Sequence, residues 1–105
     1  MLVFTKKKVV RRKVTIQVPN DGEGFTPAPC FVTWEIVPND DKRSTSYDGE
    51  FFKSIISNLE DLVDEEKKPI TFTPEFLADF VTVPYVLAGL QREYLNCTVA
   101  AGRGN

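Results

Sequence analysis

The side chains with most chemistry to offer are two cysteines, Cys30 and Cys97, a carboxylate run at Asp64, Glu65 and Glu66, and the stretch Asp21-Gly22-Glu23-Gly24. The cysteines lie far apart and match no metal or redox spacing, so they read as two small thiols, buried or half-buried. The chain has no histidine, which removes the commonest general base near neutral pH and the commonest transition-metal ligand. Clustered carboxylates at Asp64–Glu66 could hold magnesium or act as an acid/base pair. However, no P-loop, Gly-x-Gly-x-x-Gly or Gly-x-Ser-x-Gly accompanies them, and no serine or threonine has a base beside it. A solvated turn is the simpler reading. Asp21–Gly24 lacks the ligand spacing of a calcium loop and also reads as a turn. Asn96-Cys97-Thr98 fits the glycosylation sequon, read as chance in a chain without a secretory signal. The expectation is a non-enzyme with no catalytic residue, no metal and no cofactor.

What remains is charge and apolar patterning. The chain has 105 residues, 42% hydrophobic and 27% charged, which is one ordinary globular domain able to bury a core alone or as a small oligomer. No apolar run approaches the roughly 20 residues that a bilayer requires. Met1-Leu2-Val3-Phe4 precedes the basic run and is too short for the apolar core of a signal peptide, so a cytoplasmic location and no membrane partner are expected. Lys6, Lys7, Lys8, Arg11, Arg12 and Lys13 take six of the 13 basic residues, leaving seven against 15 acidic ones elsewhere. A basic arm on an acidic body is one footprint of nucleic-acid binding. Equally, lysines on an exposed edge strand discourage pairing between molecules.

The elements follow from periodicity. Val14, Ile16 and Val18 alternate with Thr15 and Gln17, predicting a half-buried strand over Val9–Val18. Pro19–Gly24 supplies turn chemistry, and Phe25–Pro29 reads as a proline-spaced loop. Cys30–Val37, rich in β-branched and aromatic residues, is the second strand and should pair antiparallel with the first. The polar stretch Asn39–Ser46 reads as a mobile hinge loop. Phe51, Phe52, Ile55, Ile56, Leu59, Leu62 and Val63 stand at helical spacing behind Asp48, predicting one amphipathic helix. Thr73-Pro74-Glu75 is a helix start, with a hydroxyl cap, proline at the first position and an acid at the positive dipole end. Val83-Pro84 starts the last helix, in which Gly89 marks a close approach to another element. The expected fold class is α+β: an N-terminal antiparallel strand pair forming a small sheet, packed with about three C-terminal helices. The expected layout is a single domain over 1–105, with the strand pair over about 9–37, a polar loop over 38–48, helices over about 49–101 and a fraying tail over 102–105.

The order of these pieces resembles the tail assembly chaperones of long-tailed bacteriophages and prophages. The similar pieces are Lys13–Pro19 with its glycine-containing turn, Phe51–Asp64, and Pro69–Thr73 leading into Pro74-Glu75-Phe76-Leu77. Val83–Leu95 and a short basic, glycine-containing tail ending in Asn105 complete them. Family sequences often carry a tryptophan after the first helix's apolar run, whereas the only tryptophan here, Trp34, lies on strand two. The resemblance implies a cytoplasmic assembly factor of the bacterial host cell. Such a factor binds the tape measure protein, keeps it soluble and helps recruit tail tube subunits.

Contact residues follow from apolar excess. Phe51, Phe52, Ile55, Ile56 and Leu59, with Tyr85, Leu87 and Tyr94, hold more large apolar groups than a two-stranded sheet covers, so some are expected at an interface. Two alternatives stay open: a small nucleic-acid-binding regulator using Lys6–Lys13, disfavoured by the acidic body, and a structural tail or connector protein of the virion.

Overall fold

Alternating burial along β1 (Lys8–Pro19) and β2 (Phe25–Ile36) turns Val14, Ile16, Cys30, Val32 and Trp34 to one face of an antiparallel hairpin. In a computed structural model describing residues 1–99, β3 (Ile56–Glu60) pairs with β2 to complete a three-stranded antiparallel sheet, order β1-β2-β3. Helices α1 (Gly49–Ile55), α2 (Pro74–Phe80) and α3 (Pro84–Thr98) make up the rest of this α+β fold, together with a 3-10 turn at Lys42–Thr45. The expected tail over 102–105, and the end of the helical region at 100–101, lie outside the described residues.

Three expectations are corrected. The amphipathic helix does not run to Val63: it ends at Ile55, and the chain passes directly into β3. The reason is an irregularity in the ladder at Thr33/Trp34. Trp34 pairs with Ile56 and Thr33 with Asn58, so Ser57 is an extra residue, and both Ile56 and Leu59 reach the core face. A bulged strand thus shows an apolar spacing of three, which is a helical spacing.

Secondly, Phe25–Pro29 is strand, not loop. Pro27 faces Gln17 and Pro29 faces Thr15. Lacking N–H, these prolines occupy positions whose backbone points away from β1, towards an edge that β3 leaves vacant beyond Phe31.

Thirdly, the expected loop over Asn39–Ser46 contains a 3-10 turn with side-chain bonds of its own. The Asp41 carboxylate accepts bonds from Arg43 N, Nε and Nη2 at 2.8, 3.0 and 2.9 Å, and Arg43 also donates to the Ser54 carbonyl at 3.2 Å. The Arg43 side chain holds the Asp41 carboxyl well below the usual carboxylate range.

The helix starts use short side chains as caps. Asp48 accepts from Phe51 N at 2.9 Å and Thr73 from Phe76 N at 3.0 Å. The core lies between the sheet and the helices. Tyr94 of α3 is its aromatic hub, with ring centroids 5.5 Å from Trp34, 5.3 Å from Tyr47 and 5.3 Å from Phe51. Its hydroxyl accepts the buried Val37 N–H at 3.3 Å, and burial raises its pKa. Gly89 lets α3 settle on β1: a Cβ there would stand 2.7 Å from Ile16 Cδ1 and 3.3 Å from the Thr15 carbonyl oxygen.

Candidate functional site

The open end of the hairpin carries apolar surface that nothing in the fold covers. β1 and β2 run past the end of β3 towards the Asn20–Gly24 turn, so Val18, Ala28 and Phe25 project beyond the third strand. Proline at the first position of α3 sets Tyr85 at the same end. Two clefts result. The first, about 330 Å³, is floored by Ile16 and Cys30 and walled by Val18, Val63, Phe80 and Tyr85, with Asp61 at its rim. The second, about 410 Å³, lies between Phe25, Pro84, Tyr85, Ala88 and Arg92. Tyr85 belongs to both, and it is 37% exposed, against 60% for Phe25 and 54% for Val63. The acidic turn Asp64–Glu66 follows directly on Val63.

The titratable groups near these clefts are held in specific states. Burial pushes the Cys30 thiol up to about 11, so at neutral pH it is a protonated, apolar floor. Cys97, half-buried on α3, is raised by burial too. Asp64 spends one carboxylate oxygen on its own turn, accepting from Glu66 N at 2.8 Å and Lys68 N at 3.0 Å. Among the described residues no three His, Cys, Asp or Glu side chains cluster in a way that would hold a metal ion. No described helix is long and apolar enough to cross a membrane.

The expected contact residues separate into two groups. Phe51, Phe52, Ile55, Ile56, Leu59 and Tyr94 lie in the core, because the third strand widens the sheet enough to cover them. Leu87 packs part-buried against that core. Tyr85 alone of the eight stands at the surface, between the two clefts. Phe25, Val63 and Ala88 join it there without having been singled out. Phe25 escapes a reading that makes Phe25–Pro29 a loop, and Val63 escapes one that extends the helix past Ile55.

The basic arm is largely engaged within the fold. Arg11 grips Glu60 through two bonds, at 3.1 and 2.9 Å, while stacking 4.0 Å above the Phe31 ring on the sheet's open face. Arg12 Nε reaches Glu93 of α3 at 2.7 Å. Lys6 pairs with Asp40 at 3.5 Å and Lys7 with Glu35 at 3.8 Å. Lys8 and Lys13 have no acidic partner among the described residues. Such a pattern reads as a strand edge fixed to its neighbours, in keeping with the protective role of charge on edge strands.

The fold and these clefts define an α+β domain with a bare apolar end. Neither the protein-family models, the curated proteins nor the solved structures hold a match to the chain.

Proposed function

We propose that this domain is a non-enzymatic binding module that holds an apolar segment of a client protein in the paired clefts about Tyr85. The client that accords with the resemblance to phage tail assembly chaperones is the tape measure protein, with tail tube subunits recruited afterwards. The observation that carries the reading is the exposed apolar end formed by Phe25, Val63 and Tyr85. An amphipathic helix lays its anchors at i, i+3 and i+4 into such a groove, and separate clefts on either side of one aromatic ring accept anchors one turn apart. Four of the six arm cations are already paired within the fold, which weighs against a backbone-contacting nucleic-acid arm.

Co-expression with the proteins encoded beside its gene, followed by co-purification, tests the proposal. A long helical neighbour should become soluble and co-purify with the wild-type chain, and Tyr85→Asp should release it. Nucleic acid co-purifying instead, with binding that falls steeply with salt, would replace this reading with the regulator.

A further inference from the structure

Met1, Leu2, Val3 and Phe4 form a continuous apolar segment that stays in water, with Leu2 84%, Val3 82% and Phe4 78% exposed. It leaves β1 at the end paired with Ile36, whereas the clefts lie at the other end, beside Val18 and Phe25. One molecule therefore carries an uncovered apolar arm at one pole and an uncovered apolar groove at the other.

The arm cannot reach its own groove. Extended chain advances about 3.4 Å per residue, so Leu2 extends at most about 20 Å from Lys8 and Phe4 about 14 Å, while Lys8 to Val18 along the strand is about 34 Å. A second copy has no such restriction. In an extended arm Leu2 and Phe4 point the same way, about 7 Å apart, matching two clefts that share Tyr85 as their dividing wall. Charge sets the direction. Lys8, the lysine behind Phe4 that has no acidic partner among the described residues, follows the arm, Asp61 rims the cleft beside Val63, and Asp64, Glu65 and Glu66 outnumber Lys67 and Lys68 in the turn that comes next, whereas Arg92 borders the other cleft. Phe4 thus belongs in the cleft rimmed by Asp61, with Lys8 towards the acidic turn, and Leu2 in the cleft beside Phe25.

We infer that the Met1–Phe4 arm of one molecule docks in the Tyr85 clefts of the next, linking copies head to tail. The contact joins two different surfaces, so each molecule keeps one free pole after pairing, and the series closes as a ring or continues as a filament. This inference rests on the same clefts as the function proposed above but not on the identity of the client, whose segment would compete with the arm.

Sedimentation velocity of the purified full chain, over a dilution series and with no client present, provides the test. The expected result is a mass that rises beyond that of a dimer with concentration. Phe4→Asp and Tyr85→Asp, both at exposed positions, should each weaken association at least about tenfold while leaving the circular dichroism spectrum unchanged. Mixed together, the two variants should form a one-to-one dimer and stop, since one intact arm and one intact groove remain. A wild-type chain that stays monomeric throughout, association unaffected by either variant, or a mixture that does not pair would overturn the inference. Client co-purification is scored separately, so either idea can fail without the other.

Discussion

Gly89→Ala offers a sharp test of how α3 sits on the sheet. In a solvated helix interior this change should stabilise by about 1 kcal/mol, because alanine loses less backbone freedom than glycine. Here the new methyl would lie 2.7 Å from Ile16 Cδ1 and 3.3 Å from the Thr15 carbonyl oxygen, with Ile16 Cα at 3.5 Å. The first contact is impossible without movement, although Cδ1 is the end of a flexible side chain. The second involves backbone that is less free to yield. Overpacking of this kind costs about 1–3 kcal/mol, so the variant should lose up to about 2 kcal/mol after the propensity gain is subtracted. Ile16→Val removes Cδ1 and by itself should cost about 0.5–1.5 kcal/mol. Combined, the two changes relieve each other, and a double-mutant cycle by urea denaturation should give a favourable coupling of about 1 kcal/mol. If Gly89→Ala alone stabilises by the full helix-propensity amount, or if the cycle closes with no coupling, the close approach of α3 to β1 is refuted.

Three further outcomes are expected. Tyr94→Phe leaves the buried Val37 N–H without its acceptor and should lower stability by about 1–3 kcal/mol in urea, whereas a change near zero would mean that this bond is dispensable. The Cys30 thiol is raised from 9.0 to about 11, so its contribution is complete below pH 9 and is lost as pH rises through 11; stability of the wild type should therefore decline more steeply across that window than that of Cys30→Ala. The Asp48 carboxyl is lowered chiefly by the Phe51 N–H, so its contribution is present above the ordinary carboxylate range and disappears as pH falls; Asp48→Asn should retain the cap at neutral pH but flatten the acid limb of a stability-against-pH profile.

Much of the architecture is legible wherever one residue type has one physical use. Val14, Ile16 and Val18 define a half-buried strand, Thr73-Pro74 and Val83-Pro84 mark helix starts, and Gly89 signals the close approach that the packing reveals. Legibility fails where a tertiary partner changes the meaning of a local pattern. Ile56 and Leu59 have helical spacing only because Ser57 bulges out of a strand, and no local property of those residues discloses the ladder with Trp34. Pro27 and Pro29 argue for a loop until it is known that their nitrogens face a vacant edge. The candidate site inherits both failures. Without β3, six core side chains outnumber the sheet available to cover them; with Phe25 assigned to a loop, the groove lacks one wall. Tyr85 is named from the sequence only as part of the apolar excess, and its place at the surface follows from the start of α3 at Pro84.

The seat of α3 on β1 also governs the order in which this molecule can come into being. β1 and β2 form a local hairpin that can close as soon as Ile36 exists, yet the element resting on Ile16 arrives only with Gly89. Until then Val14, Ile16, Val32 and Trp34 present an apolar sheet face to water, beside an edge strand whose outward backbone groups are unpaired. During synthesis the hairpin is therefore itself a sticky intermediate. Shortening the chain within α3 would freeze it in that condition, as an aggregating hairpin and not as a smaller version of the domain.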